Sequence, residues 1–448
     1  MQEIITIYDF LLLPVYLIIF YLVVRQKSKK YESIGLKKIF ILAFVFRMFG
    51  SLLYSIIIQY YYGYGDTFGY YEGGDVITFL LHRDISSLKY FFYSGREISA
   101  AASLAGYDGV IPVTINNSSN LLVMKISAII SFLSFNKYLV ISAFFGLFSF
   151  IGIWKLFYVF NEINNRRHTK LLAISVLFLP SVWFWGSGLN KESICVGALG
   201  ISIYLLYKIF IKKKFSFAGV LLMLCMLYIL TIVKSYIIII LIISFAIVFV
   251  YHFISRIKNI VIRIGVFMIL FVTVYIVLYN INFNEIVQDF VNTAVKQIQS
   301  LQTSYQLSQD DDERSRATFM LPEVNPSLDN LVSNMPVVIT SCLFRPFPWE
   351  ARKVIIFFSS LEALLMLLST LYIFTKTYFI GFFKYIFNNN YALFCFTFSL
   401  LFALVIGYTT FNFGTMVRYK IIFLPFYFFT LIYVYTKNEE KVKTPSLF

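Results

Sequence analysis

Residues 215–254, FSFAGVLLMLCMLYILTIVKSYIIIILIISFAIVFVYHFI, hold a single Asp, Glu, Lys or Arg in forty positions, Lys234. A helix needs roughly 20 apolar residues to cross a hydrocarbon core ~30 Å thick, so this stretch is long enough to cross twice. VKSY, around Lys234, reads as a tight turn between spans at 215–233 and 236–254. The composition agrees outward from there: 59% of the 448 residues are hydrophobic, 20% aromatic and only 14% charged, too little polar surface for a soluble protein. Nine more spans are predicted, at 5–24, 39–62, 138–160, 171–186, 194–211, 260–281, 354–375, 391–411 and 421–436. The chain therefore reads as all-α, a polytopic transmembrane helical bundle of about 11 spans forming one integral membrane domain, 1–448. Two long hydrophilic connections, 63–137 and 282–353, carry short interfacial helices.

The net charge of +15 sits in short connections between apolar runs. Arg25, Lys27, Lys29, Lys30, Lys37 and Lys38 form one cluster, and Arg166, Arg167 and Lys170 a second. Lys212–Lys214, then Arg256, Lys258 and Arg263, then Lys437, Lys441 and Lys443 continue the series. This is the positive-inside pattern of membrane topology, not the basic stripe of a nucleic-acid binder. All of these clusters fall on one side if 121–135, LLVMKISAIISFLSF, lies in the interface or re-enters instead of crossing. The N-terminus is then outside, the C-terminus cytoplasmic and both long connections outward, in the cytoplasmic membrane. Glu3 and Asp9 replace the basic n-region of a signal peptide, so the first span reads as retained. Of the four cysteines, three lie in apolar runs, which is neither a disulfide framework nor a metal site. No internal repeat of the kind many transporters carry is visible.

Four polar clusters fall on the outward side. GYGDTFGYYEGGD, 63–75, sets Asp66, Glu72 and Asp75 among five glycines; the carboxylates suit a general base or a divalent cation such as Mg or Mn, held by Asp66 and Asp75. They also suit a solvated, turn-rich loop. PSVWFWGSGLNKES, 180–193, places Lys191 and Glu192 at the outer mouth of a helix, where a lysine either holds a phosphate or pairs with its neighbour to solvate the turn. LFRPFPWEAR, 343–352, offers Arg345 and Arg352 for a phosphate and Trp349 for a sugar ring or a headgroup region. FNFGTMVRYK, 411–420, presents Arg418, Tyr419 and Lys420 against the charge trend, and Lys234 is a similar exception. A lipid-carrier phosphate explains such cations, as does snorkelling to the headgroups. Inside the spans, Arg47 and Glu362 are expected to pair with each other or with Asp9. The run SQDDDERSR, 308–316, lacks the ligand spacing of a calcium loop.

The acidic motif in the first long outer connection, the Pro- and Trp-rich helix end followed by Lys191 and Glu192, and the late Arg418-Tyr419-Lys420 resemble bacterial GT-C-type membrane glycosyltransferases and related envelope polysaccharide polymerases. The resemblance covers most of the chain in layout. One feature differs: the acidic motif usually follows the first helix, and here it follows the second. The resemblance implies glycosyl transfer from a polyprenyl-phosphate-linked sugar donor to a glycan or lipid acceptor on the outer face. Asp66 would be the base, helped by Glu72 and Asp75; Lys191 and Arg418 would hold the lipid phosphate. A block-transferring O-antigen or exopolysaccharide polymerase and a non-enzymatic polysaccharide or lipid transporter are the competing expectations.

Overall fold

The computed structural model describes residues 4–63, 65–83, 85–257, 328–351, 354–410 and 412–443. The predicted span 260–281, most of the connection 282–353, the run 308–316 and Arg352 lie outside the described residues. Those described are helical, with no β-strand among them. They include seven helices long and apolar enough to cross a membrane, or eight if one bent pair is a single span. The all-helical membrane reading holds at that level, with the expected span 260–281 outside the described residues. The chain forms two compact units, Met1–Ile238 and Ile239–Phe448.

In the first unit, α1 (Ile7–Ser28), α2 (Lys37–Ile56), α6 (Tyr138–Ile163) and α9 (Lys191–Leu206) make the bundle. Between α2 and α6 lie α3 (Asp66–Leu81), α4 (Gly95–Leu104) and α5 (Ser118–Ser134). The glycine-rich motif is therefore mostly helix, not loop, and the glycines have a packing reason. A Cβ on Gly73 would stand 2.4 Å from the Met124 sulfur, and one on Gly74 2.7 Å from Ser127 Oγ. They let α5 press against α3, contact that outweighs the ~1 kcal/mol each glycine costs a helix.

Glycines also set the depth of α9. Gly152 of α6 meets the backbone of Gly197 and Gly200, closer than any Cβ could allow. The two helices run parallel, their C-terminal ends joined where Lys212 Nζ lies 3.6 Å from Glu162. Counting back from that crossing at 1.5 Å per residue, α9 begins about 10 Å inside the N-terminal end of α6. At that N-terminal end of α6, Asp9 accepts from Leu139 N at 2.9 Å while closing the capping box of α1 with Thr6. Thr67, at the start of α3, bonds Tyr138 there at 3.0 Å.

Segment 171–186 is not one span. It is α7 (Thr169–Leu177) and the six-residue α8 (Pro180–Trp185), broken where Pro180 cannot continue the ladder. Helix α10 (Phe217–Ser255) is two helices meeting at a kink at Lys234, where the two expected spans divide. It is interrupted at that residue alone, where φ is −151° and ψ 83°.

Helix α5 has 17 residues. Its C-terminus turns directly into α6, and its N-terminal Ser119 meets Lys191 at the start of α9. Ile129, Phe132 and Leu133 expose an apolar face, and Tyr16 of α1 donates to Leu133 O. At 17 residues α5 is shorter than the helices long enough to cross a membrane.

The second unit holds α11 (Leu328–Phe344), α12 (Val354–Phe387), α13 (Asn390–Thr409), α14 (Phe413–Lys420) and α15 (Leu424–Lys443). Gly407 admits Val338 and Cys342 of α11 against α13. Phe398 meets Phe426 at 4.6 Å and Phe402 meets Phe423 at 5.7 Å in an aromatic seam between α13 and the start of α15 with the turn before it. The expected span 421–436 is the longer arm of a pair bent by 59°.

Candidate functional site

Three helices of the first unit begin close together. Asn117 caps α5 by accepting from Ser119 N at 3.0 Å, and Asn190 caps α9 by accepting from Ser193 N at 2.7 Å. Lys191 Nζ donates to Ser119 Oγ at 2.7 Å, joining those two N-termini. Next to Ser119, Asn120 accepts from Tyr70 of α3 at 3.4 Å. Tyr70 lies one turn along from Asp66, on the same face of α3. Asp66 is exposed at the rim of the unit and Lys191 half-buried about 10 Å further in. Oriented amides and an ammonium make this a favourable place for an anion, with a carboxylate above it.

The three carboxylates do not converge. Asp66 and Asp75 are separated along α3 by about 13 Å and by half a rotation, so they cannot share one cation. Asp75 accepts from Tyr107 Oη at 2.6 Å and from Asn136 Nδ2, tying α3 to the segments that follow α4 and α5. Desolvation, then the hydrogen bond and the negative charge of Asp75, push the Tyr107 hydroxyl well above the usual phenol range. Glu72 lies on the Asp75 side, and burial pushes its carboxyl up. Among the described residues no three or more His, Cys, Asp and Glu side chains group as a metal site.

That shift has a testable sign. A carboxyl raised by folding binds protons more readily in the folded chain, so it lowers stability as pH rises from the unfolded value through the folded one. Glu72→Gln is expected to remove this fall, raising the thermal midpoint at neutral pH and leaving it unchanged below about pH 4. Midpoints scanned against pH in detergent check it; equal slopes for variant and parent would contradict the desolvated Glu72.

The segment 184–190 is buried throughout, not solvated. Glu192 Oε1 receives Lys234 Nζ at 2.8 Å, their side chains 0% and 7% exposed. Arg47, 1% exposed, does not bond Asp9. Its Nη1 donates to Val182 O at 2.9 Å, which also accepts the capping Gly186 N–H, and to Gly186 O at 3.0 Å, a carbonyl released where α8 ends. Sequence reasoning missed Tyr70, Ser119 and Asn120; the Asn117-Ser118-Ser119 capping pattern was the available signal.

In the second unit, Arg345 forks onto Glu350 with Nε 2.9 Å from Oε1. Against burial, that guanidinium and the Phe347 amide hold the Glu350 carboxyl below its usual range. Lys420 donates to Leu343 O at 3.4 Å and to Arg345 O, capping the C-terminal end of α11. Trp349 stacks on Phe347 at 4.8 Å and is 77% exposed. Arg418 and Tyr419 lie partly exposed on α14. The site residues expected from sequence thus divide: Asp66, Glu72, Asp75, Lys191, Glu192 and Lys234 in the first unit, and Arg345, Trp349, Arg418 and Tyr419 in the second.

Comparison with protein-family models, curated proteins and solved structures found no match for this chain.

Proposed function

We propose that this chain is a membrane glycosyltransferase using a polyprenyl-phosphate-linked sugar on the outer face of the cytoplasmic membrane, in envelope polysaccharide or glycolipid assembly. The observation that carries the reading is Lys191, bound to Ser119 where α5 and α9 begin, with Asp66 linked to that point through Tyr70 and Asn120. In the proposed reaction Asp66 takes the proton of the acceptor hydroxyl as its oxygen forms a bond to the anomeric carbon. The anomeric carbon–oxygen bond to the lipid phosphate breaks, and the phosphate leaves with the electron pair. Lys191 and the neighbouring helix N-termini stabilise that charge. In the second unit, taken by itself, Arg418 and Tyr419 are proposed to meet lipid headgroups. Arg345, already held by Glu350, is a weaker phosphate ligand.

One experiment tests the class: cells lacking the protein are examined for the lipid-linked species that accumulates. A polyprenyl-linked monosaccharide is expected. Accumulated oligosaccharide units on the carrier would point to a block polymerase instead, and no accumulated lipid-linked sugar would overturn the transferase reading. A transporter is the second reading, favoured by the buried Lys234–Glu192 pair in apolar helices; transfer by purified protein in detergent excludes it. Orientation has its own test. Cysteines introduced at Asp66 and Arg418 are expected to react with an impermeant maleimide from outside, and at Lys213 only after permeabilisation. The reverse pattern at residues 66 and 213 would invert the topology.

A further inference from the structure

We infer that Lys234 is a positioning residue for Lys191, and that the interruption of α10 exists to deliver it. Lys234 is the one charge in a stretch of forty apolar residues, and it is the residue at which α10 leaves helical geometry. Its ammonium crosses to Glu192, in the first turn of α9 and next in sequence to Lys191. The same turn is fixed from its other side: Asn190 Nδ2 donates to Trp185 O at 3.0 Å and Ser193 Oγ to Gly188 O at 2.7 Å. Lys191 projects from this turn to Ser119.

Stability alone is a poor reason for the arrangement. Removing two charges from water costs several kcal/mol per ion, and a well-packed apolar pair often does as well or better. A helix break adds a further cost in lost backbone hydrogen bonds. Both costs fall where the first turn of α9 must keep one rotation and one depth. An apolar contact tolerates sliding and rotation; a charge-assisted hydrogen bond of 2.8 Å does not.

The assignment of Lys191 to a lipid phosphate rests on the proposed transferase function, whereas the pinning of its helix turn does not. Two measurements keep them apart. Hydrogen–deuterium exchange of peptides covering 189–197 reads the turn itself, in full-length protein in nanodiscs. Lys234→Met is expected to speed exchange there about tenfold or more, while peptides from the α6–α9 crossing stay protected. Lys234→Arg is expected to restore protection. The neutral pair Lys234→Met with Glu192→Gln guards against misfolding, since it leaves no lone buried charge; it is expected to keep the parent's thermal midpoint and still lose local protection. Parental protection at 189–197 in this double variant would overturn the inference, as would loss of protection spread evenly over the whole unit. Binding of a fluorescent polyprenyl phosphate is the second measurement. Weaker binding in both Lys234→Met and Lys191→Met is expected. If neither variant changes binding but the turn still loosens, Lys234 positions the turn and the phosphate assignment of Lys191 fails.

Discussion

Arg47→Leu is expected to destabilise the first unit by about 3–5 kcal/mol, the largest effect of any single substitution outside the candidate site. Arg47 lies about 15 Å along the apolar helix that begins at Lys37, where bulk water is absent. Non-helical backbone at such depth survives only where protein groups satisfy it. Here α8 ends after six residues, and Arg47 meets the Gly186 carbonyl that the ending releases and adds a second donor to Val182 O. The partial negative charge at a helix C-terminus also offsets the guanidinium charge, so no carboxylate is required. Leucine would leave the buried Gly186 carbonyl without its donor, strip Val182 O of one of its two, and open a gap against Gly50, whose missing Cβ lets Trp183 and Ser187 approach. Arg47→Lys should lose less, because both carbonyls are reached by one guanidinium nitrogen, Nη1, and an ammonium keeps the charge and enough donors for them on a shorter stem. Thermal midpoints in detergent and the fraction of folded protein in membranes measure this. A leucine variant as stable as the parent would mean that the carbonyls find other donors.

The physical reasons for the readable and unreadable parts of the sequence are specific. Spans at 5–24, 39–62, 138–160 and 391–411 coincide with long helices because unbroken apolar length is a signal that needs no tertiary context. The motif at 63–75 was misjudged because Gly73 and Gly74 weaken a helix locally, and only the partner α5 shows what they permit. Hydropathy locates the break between two helices at Lys234 but not its partner, since Glu192 is 42 residues away. Pro180 marked a break, but its depth depends on how far α9 slides along α6, which the glycines at 152, 197 and 200 decide. In the candidate site, the charged members were legible as exceptions to the charge trend. Ser119, Asn120 and Tyr70 were not, since neutral polar residues near helix starts are ordinary.

Asp66→Asn is expected to lower sugar transfer by about 10²- to 10⁴-fold while leaving fold and membrane level unchanged, because an exposed carboxylate at the start of α3 carries little packing. An amide keeps the size and a hydrogen-bond acceptor but cannot take the acceptor's proton at neutral pH. The loss should appear in kcat, with KM for the lipid-linked donor nearly unchanged, since the proton moves only as the new bond forms. Lys191→Met should behave differently. It removes a charge that meets phosphate both in the bound donor and, more strongly, in the departing group, so KM rises and kcat falls by about 10²-fold. Asp75→Asn separates the site from its scaffold: Asp75 already accepts from Tyr107 and Asn136, so its loss should lower the thermal midpoint and leave kcat of the folded fraction within about threefold. Purified variants in nanodiscs, assayed with one donor and acceptor pair at matched folded concentration, give all three results. Parental kcat in Asp66→Asn would remove that residue from the chemistry. A fall in kcat for Asp75→Asn as large as that for Asp66→Asn would move the base to the far side of α3, toward Glu72 and Tyr107, and detach it from the Lys191 end.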